Sequence, residues 1–237
     1  YDDEYWWKTD DMEFWKKILE MAPGKKVLEL AAGTGRLAIP LIREGAEYTG
    51  IEISPEFCKQ AETKLLHHQM DATFIQGDIR ELDLNETFDL IFIGFNSFLH
   101  LLKDDDAQAC LKCVKKHMHK DTLFVIDIFV PNPLFLYRPE TRFPVMEYID
   151  SITGELTKVE EISVYDSDSG INKITWFYNT PSQADDKIYS FTMRMYFPDT
   201  MNRLLIDSGF TIQNMIGKHD FSDFQEDSEL QIYICKQ

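Results

Sequence analysis

Val27-Leu28-Glu29-Leu30-Ala31-Ala32-Gly33-Thr34-Gly35-Arg36 reads as a buried strand that runs into a glycine turn opening a helix. Tyr48-Thr49-Gly50-Ile51-Glu52-Ile53-Ser54 follows as a second strand with a carboxylate near its end. Together these stretches meet the physical requirement for holding a nucleoside on an α/β sheet. Glycines let the backbone approach the ligand, and an acidic side chain accepts hydrogen bonds from ribose hydroxyls. Which nucleoside cofactor is bound stays open at this point.

On either side of this stretch, strand and helix signals alternate. Met12, Trp15, Ile18, Leu19 and Met21 have helical spacing over 11–21, and Pro23-Gly24 stops that helix. Strand 26–31 leads to a helix over 35–44 with Gly45 as its C-cap. Strand 47–53 leads to a helix capped by Ser54, with Pro55 at its first position. Strand 72–75 ends in Gln76-Gly77-Asp78-Ile79, and strand 88–93 ends in Gly94-Phe95-Asn96-Ser97. A helix over 104–118 precedes strand 122–129. Apolar runs without alternation belong to strands covered on both faces, so this sheet is parallel.

From Pro131 the pattern changes. Val145–Ser151, Leu156–Tyr165, Ile171–Asn179 and Lys187–Tyr196 are strand-like runs separated by Thr153-Gly154, Asp166–Gly170 and a Pro181-Ser182 segment, the turn signals of antiparallel hairpins. Pro198 opens a last helix that ends at Ser208-Gly209, and Phe210–Gly217 and Leu230–Cys235 close the chain as an antiparallel pair. The expected fold is α/β: a Rossmann-like, seven-stranded, mostly parallel sheet flanked by helices, with a small antiparallel β-sheet inserted. Residues 1–130 and 198–237 are expected to form the main domain, and 131–197 the insertion.

Bulk properties narrow the partners. The 237 residues suit one domain with an elaboration, and 44% hydrophobic composition is ample for a core. A net charge of −17 argues against nucleic acid or an anionic membrane and mildly favours a cationic ligand. Cys58, Cys110, Cys113 and Cys235 are dispersed, and neither a secretory leader nor a long apolar span is visible, so a cytoplasmic protein with reduced thiols is expected. The longest apolar stretch, around Leu123–Val130, is interrupted by Asp127. The chain opens at Tyr1 rather than Met, which reads as a terminus lacking a few residues.

The series Glu29-x-Ala31-x-Gly33-x-Gly35, with Glu52 after the second strand and Gly77-Asp78-Ile79 after the third, closely resembles the class I S-adenosylmethionine-dependent methyltransferases. The strand pattern of 24–130 and the closing pair at 210–235 resemble them too. One departure is Ala31, where members of that family often have Gly. The insertion after the fifth strand, the opening Tyr1-Asp2-Asp3-Glu4-Tyr5 and Asn96-Ser97-Phe98-Leu99-His100 further resemble the branch that includes amino-sugar N,N-dimethyltransferases and glycine/sarcosine N-methyltransferases.

The resemblance implies S-adenosyl-L-methionine as cofactor and S-adenosyl-L-homocysteine as product. It implies that Gly33 and Gly35 lie against the methionine part and that Glu29 orients water or the amino group. Glu52 would accept from both ribose hydroxyls and Asp78 from the adenine amino group, with Ile79 flanking the ring. Ala31, Arg36 and Ile53 complete the expected set, with Phe95, Asn96 and Ser97 at the carboxyl edge of the fourth strand. In that branch the N-terminal segment and the inserted sheet cover the substrate. Tyr1, Tyr5, Trp6 and Trp7 would then cap the cofactor and offer ring faces to a cation; equally, the tryptophans could be packing anchors. Tyr137, Arg138, Arg142, Trp176, Tyr178 and Arg194 are candidates for the substrate chamber.

Methyl transfer is an in-line displacement at an activated methyl, so the protein must mainly align the acceptor and exclude water. His100 and Tyr5 are the candidate catalytic residues. His100 could take a proton from an ammonium or hydroxyl acceptor, or be a histidine satisfied by backbone. No metal is expected. Cys110-x-x-Cys113-x-x-x-His117-x-His119 has zinc-like spacing, but Ala107, Cys110, Leu111, Val114 and Met118 form a helical apolar stripe, with Cys113 and the histidines at its margin. His67-His68 and Asp104-Asp105-Asp106 suit the ends of helices as solvated charges.

Two rival readings stay open. Gly33-x-Gly35-x-x-Ala38 formally matches a dinucleotide fingerprint, so an NAD(P)-dependent oxidoreductase is one. A non-catalytic S-adenosylmethionine-binding module is the other. The fourth strand lacks the Asn/Asp-Pro-Pro-aromatic signature of base-amine methylation. The expected function is therefore methyl transfer to a small molecule, at nitrogen before oxygen, with an amine as the candidate acceptor. A homodimer through the insertion is the oligomeric expectation.

Overall fold

In the computed structural model, which describes residues 2–237, seven strands form one sheet: β1 (Lys26–Leu30), β2 (Glu47–Glu52), β3 (Thr73–Gln76), β4 (Phe88–Ile93), β5 (Met118–Phe129), β10 (Thr211–Ile216) and β11 (Leu230–Lys236). Their order is β10-β11-β5-β4-β1-β2-β3. β1 to β5 pair in parallel, and β11 pairs antiparallel with both β5 and β10. Five of the six side chains of β4 are buried, four of them in a row from Leu90 to Ile93, with only Asp89 half-buried. That is the signature of a strand covered on both faces.

Helices α1 (Met12–Met21), α2 (Ala38–Arg43), α3 (Pro55–His67), α4 (Asp104–Lys116) and α6 (Pro198–Asp207) belong with this sheet. α1 buries Phe14, Trp15, Ile18 and Leu19, one apolar stripe, and the Trp15 ring lies 4.4 Å from that of Phe92. Each such burial stabilises by about 1.5–3 kcal/mol. α3 starts where Ser54 Oγ accepts the Phe57 N–H at 3.3 Å, satisfying one of the free amides of the first turn.

Two boundaries differ from the sequence expectation by three or more residues. α2 begins at Ala38, not at 35, because Ala31, Gly33 and Gly35 all have left-handed backbone (φ 58°, 56° and 70°) that no right-handed helix can incorporate. β5 begins at Met118 rather than 122, because Met118 already pairs with Phe88 before a register shift.

The chain divides into two compact units. The larger comprises residues 10–98, 103–130 and 197–237, with the seven-stranded sheet. The smaller comprises residues 2–9, 99–102 and 131–196. It contains the short helix α5 (Pro133–Leu136) and a four-stranded antiparallel sheet, β6 (Phe143–Ile149), β7 (Leu156–Asp166), β8 (Ile171–Asn179) and β9 (Lys187–Arg194), in that spatial order. Residues 2–9 and 99–102 were assigned to the main domain from sequence. Hydrogen bonds explain their place in the smaller unit: Asp3 Oδ2 accepts the Ser151 amide at 2.9 Å, and the Tyr196 hydroxyl donates to Leu101 O at 2.5 Å. Asp150 Oδ1 accepts the amides of Ile152 and Thr153, which shapes the β6–β7 turn ahead of left-handed Gly154.

Candidate active site

β1 and β4 are neighbours, yet the chain leaves β1 toward β2 on one side and β4 toward β5 on the other. Such a switch point opens a crevice at the carboxyl ends of the strands. The expected cofactor residues of the larger unit all lie at or just beyond carboxyl ends: Glu29, Ala31, Gly33, Gly35 and Arg36 at β1, Glu52 and Ile53 at β2, Asp78 and Ile79 beyond β3, and Phe95, Asn96 and Ser97 beyond β4. Tyr1 lies outside the described residues.

The turn after β1 sits tightly against β2. Ala32 N–H donates to Ile51 O at 2.9 Å, and a Cβ on Gly35 would come within 2.8 Å of the Phe74 ring. Glu52 is buried and fixed by two backbone donors, Gly33 N–H to Oε2 at 2.8 Å and Ser54 N–H to Oε1 at 2.9 Å. Each carboxylate oxygen keeps a lone pair for a further donor. Beside it Ile53 is 63% exposed. A rigid acceptor next to exposed apolar surface suits a ribose diol with an attached base, so these residues fit S-adenosylmethionine.

Glu29, also buried, accepts a hydrogen bond from the Tyr48 hydroxyl. Burial pushes its carboxyl up to about 8, against the smaller opposing effects of Tyr48 and Arg36. Asp78 is held below the usual carboxylate range by Arg80, which also bonds Asp106 at 2.8 Å. Asp106 is therefore ion-paired rather than simply solvated. Phe95 and Asn96 are consecutive left-handed residues (φ 50° and 67°), a strained conformation of the kind found at ligand sites. Asn96 Oδ1 accepts the Phe129 backbone N–H at 2.8 Å and the Asn96 backbone N–H donates to Asp127 O at 3.0 Å, tying the ends of β4 and β5 together.

A second network escaped the sequence reading. Arg36 makes two hydrogen bonds to the fully buried Asp11, at 2.8 and 2.7 Å, and its guanidinium lies 5.3 Å from the Phe95 ring centre. His219 Nε2 lies 3.1 Å from Asp127 Oδ2. Asp11, Asp127 and His219 present ligand atoms within 4.8 Å of one another. Asp11 is already bidentate to Arg36 and Asp127 is bonded to His219, so the set is a hydrogen-bonded network. Asp127 interrupting an apolar strand was the available signal; its partners lie too far along the chain to be read.

The smaller unit carries the candidate catalytic residues. His100 ends a single 3₁₀ turn (Ser97–His100), and its Nδ1 donates to Thr192 O at 3.2 Å. That bond makes Nδ1 the protonated nitrogen and leaves the Nε2 lone pair as acceptor. Burial holds its pKa below the ordinary imidazole value, against the opposing effect of Thr192. Tyr5 is half-buried in the segment that includes Glu4, whose charge adds to burial in pushing the Tyr178 hydroxyl up. Trp6 and Trp7 are 69% and 50% exposed, too open for packing anchors. In the discounted zinc pattern, Cys113 and His117 are buried rather than marginal: Cys113 bonds Arg80 O, and His117 bonds Leu84 N–H and Cys113 O. Among the described residues no helix is long and apolar enough to cross a membrane.

Residues 27–121 match the methyltransferase domain family. A putative methyltransferase of Bacillus subtilis, YqeM, is 26% identical over 200 residues, covering 83% of this chain and 77% of that protein. Two other curated relatives, likewise methyltransferases by description, match over only 39% and 34% of their own lengths. An S-adenosylmethionine-dependent methyltransferase from Clostridium acetobutylicum superposes with a TM-score of 0.80 at 20% identity, covering 100% of this chain and 95% of that one. The sugar N-methyltransferase KedS8 from Streptoalloteichus gives 0.73 at 18%, covering 97% and 88%. At these identities the structural likeness carries the fold.

Proposed function

We propose that this chain, an S-adenosylmethionine-dependent methyltransferase by its domain and fold, methylates a small-molecule acceptor at nitrogen. The observation that supports the cofactor half most directly is Glu52, pinned by the Gly33 and Ser54 amides beside exposed Ile53. When bound, S-adenosylmethionine supplies an activated methyl group on a sulfonium. The rest is the work of the chain's own residues. Glu52 holds the ribose, the turn from Ala31 to Arg36 lies along the methionine part, and Ile53, Asp78 and Ile79 take the adenine. Phe95, Asn96 and Ser97, at the carboxyl edge of β4, would complete the cofactor site.

His100 Nε2 accepts the proton that an ammonium acceptor must lose before its nitrogen can attack. Its low pKa keeps it neutral and able to do so at neutral pH. Tyr5 orients the acceptor, and the antiparallel sheet of 131–197 selects it. The acidic charge of −17 opposes a nucleic-acid acceptor, the inserted sheet favours a small one, and nitrogen follows from the resemblance to N-methyltransferases such as KedS8.

Calorimetric titration with S-adenosylhomocysteine, with NADH as control, tests the reading. Saturable one-site binding of the former alone is expected. Preference for NADH would return the chain to the oxidoreductases. Glu52→Ala is expected to weaken S-adenosylhomocysteine at least ~100-fold, since hydrogen bonds to a charged group contribute about 1.5–3 kcal/mol each. Unchanged affinity would remove Glu52 from the ribose.

A further inference from the structure

We propose that one face of the antiparallel sheet is a subsite for an organic cation, walled by Trp176, Tyr178 and Phe191 and edged by Glu161 and Glu4. The inference rests on the amine-acceptor reading above and narrows it to acceptors that carry a compact, methylated ammonium. Strand register places the wall. Glu161 stands opposite Trp176 and Val159 opposite Tyr178, while Ile174 stands opposite Phe191. Opposed residues of antiparallel strands share a face. This is the face on which Thr157, Val159, Glu161 and Ser163 are buried along β7. Trp176, Tyr178 and Phe191 are only half-buried there, so their rings stay open to a small ligand.

The rings meet at steep angles: Trp176 and Phe191 at 5.3 Å and 87°, Trp176 and Tyr178 at 6.1 Å and 62°. His100 continues the row, 6.1 Å from Phe191. Ring faces of differing orientation on one open surface can receive a quaternary ammonium group.

The hydrogen bonds of the wall strengthen the case. The Trp176 indole N–H donates to Glu161 Oε2 at 2.7 Å, and burial together with the nearby Glu4 carboxylate pushes the Tyr178 hydroxyl up. A ring that donates to an anion gains electron density, which makes its face more negative and its pull on a cation stronger. Glu161 is also bonded to Arg138, whose guanidinium lies 4.1 Å from the Phe135 ring centre and 4.8 Å from that of Phe143. Its charge is therefore compensated, and attraction for the ligand comes from the ring faces rather than from a bare ion pair. That favours a soft, weakly hydrated methylammonium over a strongly hydrated primary ammonium.

Titration of the full chain with choline chloride and with its neutral isostere 3,3-dimethylbutan-1-ol, at constant ionic strength, tests this. The expected result is saturable choline binding on the order of tenfold tighter than the isostere, with the preference abolished in Trp176→Leu. Tyr178→Leu removes a different ring face from the same wall, and is expected to reduce the preference severalfold if Trp176→Leu does not fold. Equal binding of choline and isostere, or a preference that survives both substitutions, would overturn the subsite. S-adenosylhomocysteine is titrated in parallel. Its failure to bind would sink the methyltransferase reading, whereas its normal binding without cation preference would sink the subsite alone.

Discussion

Burial beside Tyr48 holds the Glu29 carboxyl above the usual carboxylate range, at about 8, and this couples stability to pH. A folded-state pKa raised above the unfolded value contributes stability that is fully present below about 4.5 and is lost as pH rises through about 8. The ligand-free protein is therefore expected to lose stability across that window. Glu29→Gln, whose amide oxygen can still accept from Tyr48, should flatten the loss and gain at least ~1 kcal/mol at pH 8, measured by urea unfolding at several pH values. An unchanged profile would mean that Glu29 is already ionised. Carboxylates such as Asp78 have lowered values and act below this window, so they do not mask the effect. Glu29 and Glu52 were legible in the sequence because they close strands next to a glycine turn. Tyr48, Asp11 and His219 were not, since their bonds join residues 19 to 92 positions apart and no local pattern encodes them.

The turn between β1 and α2 is the element with the clearest internal logic. Three of its residues need left-handed backbone, and one of them, Ala31, pays a steric cost that glycine would not. Ala31→Gly is expected to be neutral or stabilising by up to ~1 kcal/mol. Gly35→Ala should destabilise by about 1–3 kcal/mol, because strain adds to a Cβ placed 2.8 Å from Phe74. Denaturant midpoints for both variants check the pair, and destabilisation by Ala31→Gly would show that the methyl packs productively. At the 3₁₀ turn, His100→Ala is expected to lower turnover by about 10²–10⁴ while leaving S-adenosylhomocysteine affinity intact. In the native protein the rate should rise with pH through a value below the ordinary imidazole pKa and then level off. Equal rates would demote His100 to a structural residue tied to Thr192. The strands themselves were readable because period and turn residues are local properties. The start of α2 was misplaced because a glycine turn and a helix start look alike until φ is known.

The architecture of the whole molecule depends on segments far apart in sequence. The smaller unit recruits residues 2–9 and 99–102 to a sheet built from 131–196. Deleting residues 1–7 removes Asp3 from Ser151 and Glu4 from Tyr178, and is expected to raise the acceptor KM about tenfold or more while the larger unit stays folded. Full activity with native acceptor affinity would show that the segment plays no part in acceptor binding. By itself the sequence determined the α/β class, the order of strands and helices, the antiparallel insertion and the glycine-and-carboxylate edge, because hydrophobic period, turn chemistry and chain direction are written locally. Tertiary structure alone decided which buried carboxyl keeps its proton, which nitrogen of His100 is free, which aspartates pair with Arg36 and His219, and which aromatic rings share one face. Those properties depend on desolvation, hydrogen-bond partners and strand register, which exist only once distant segments meet.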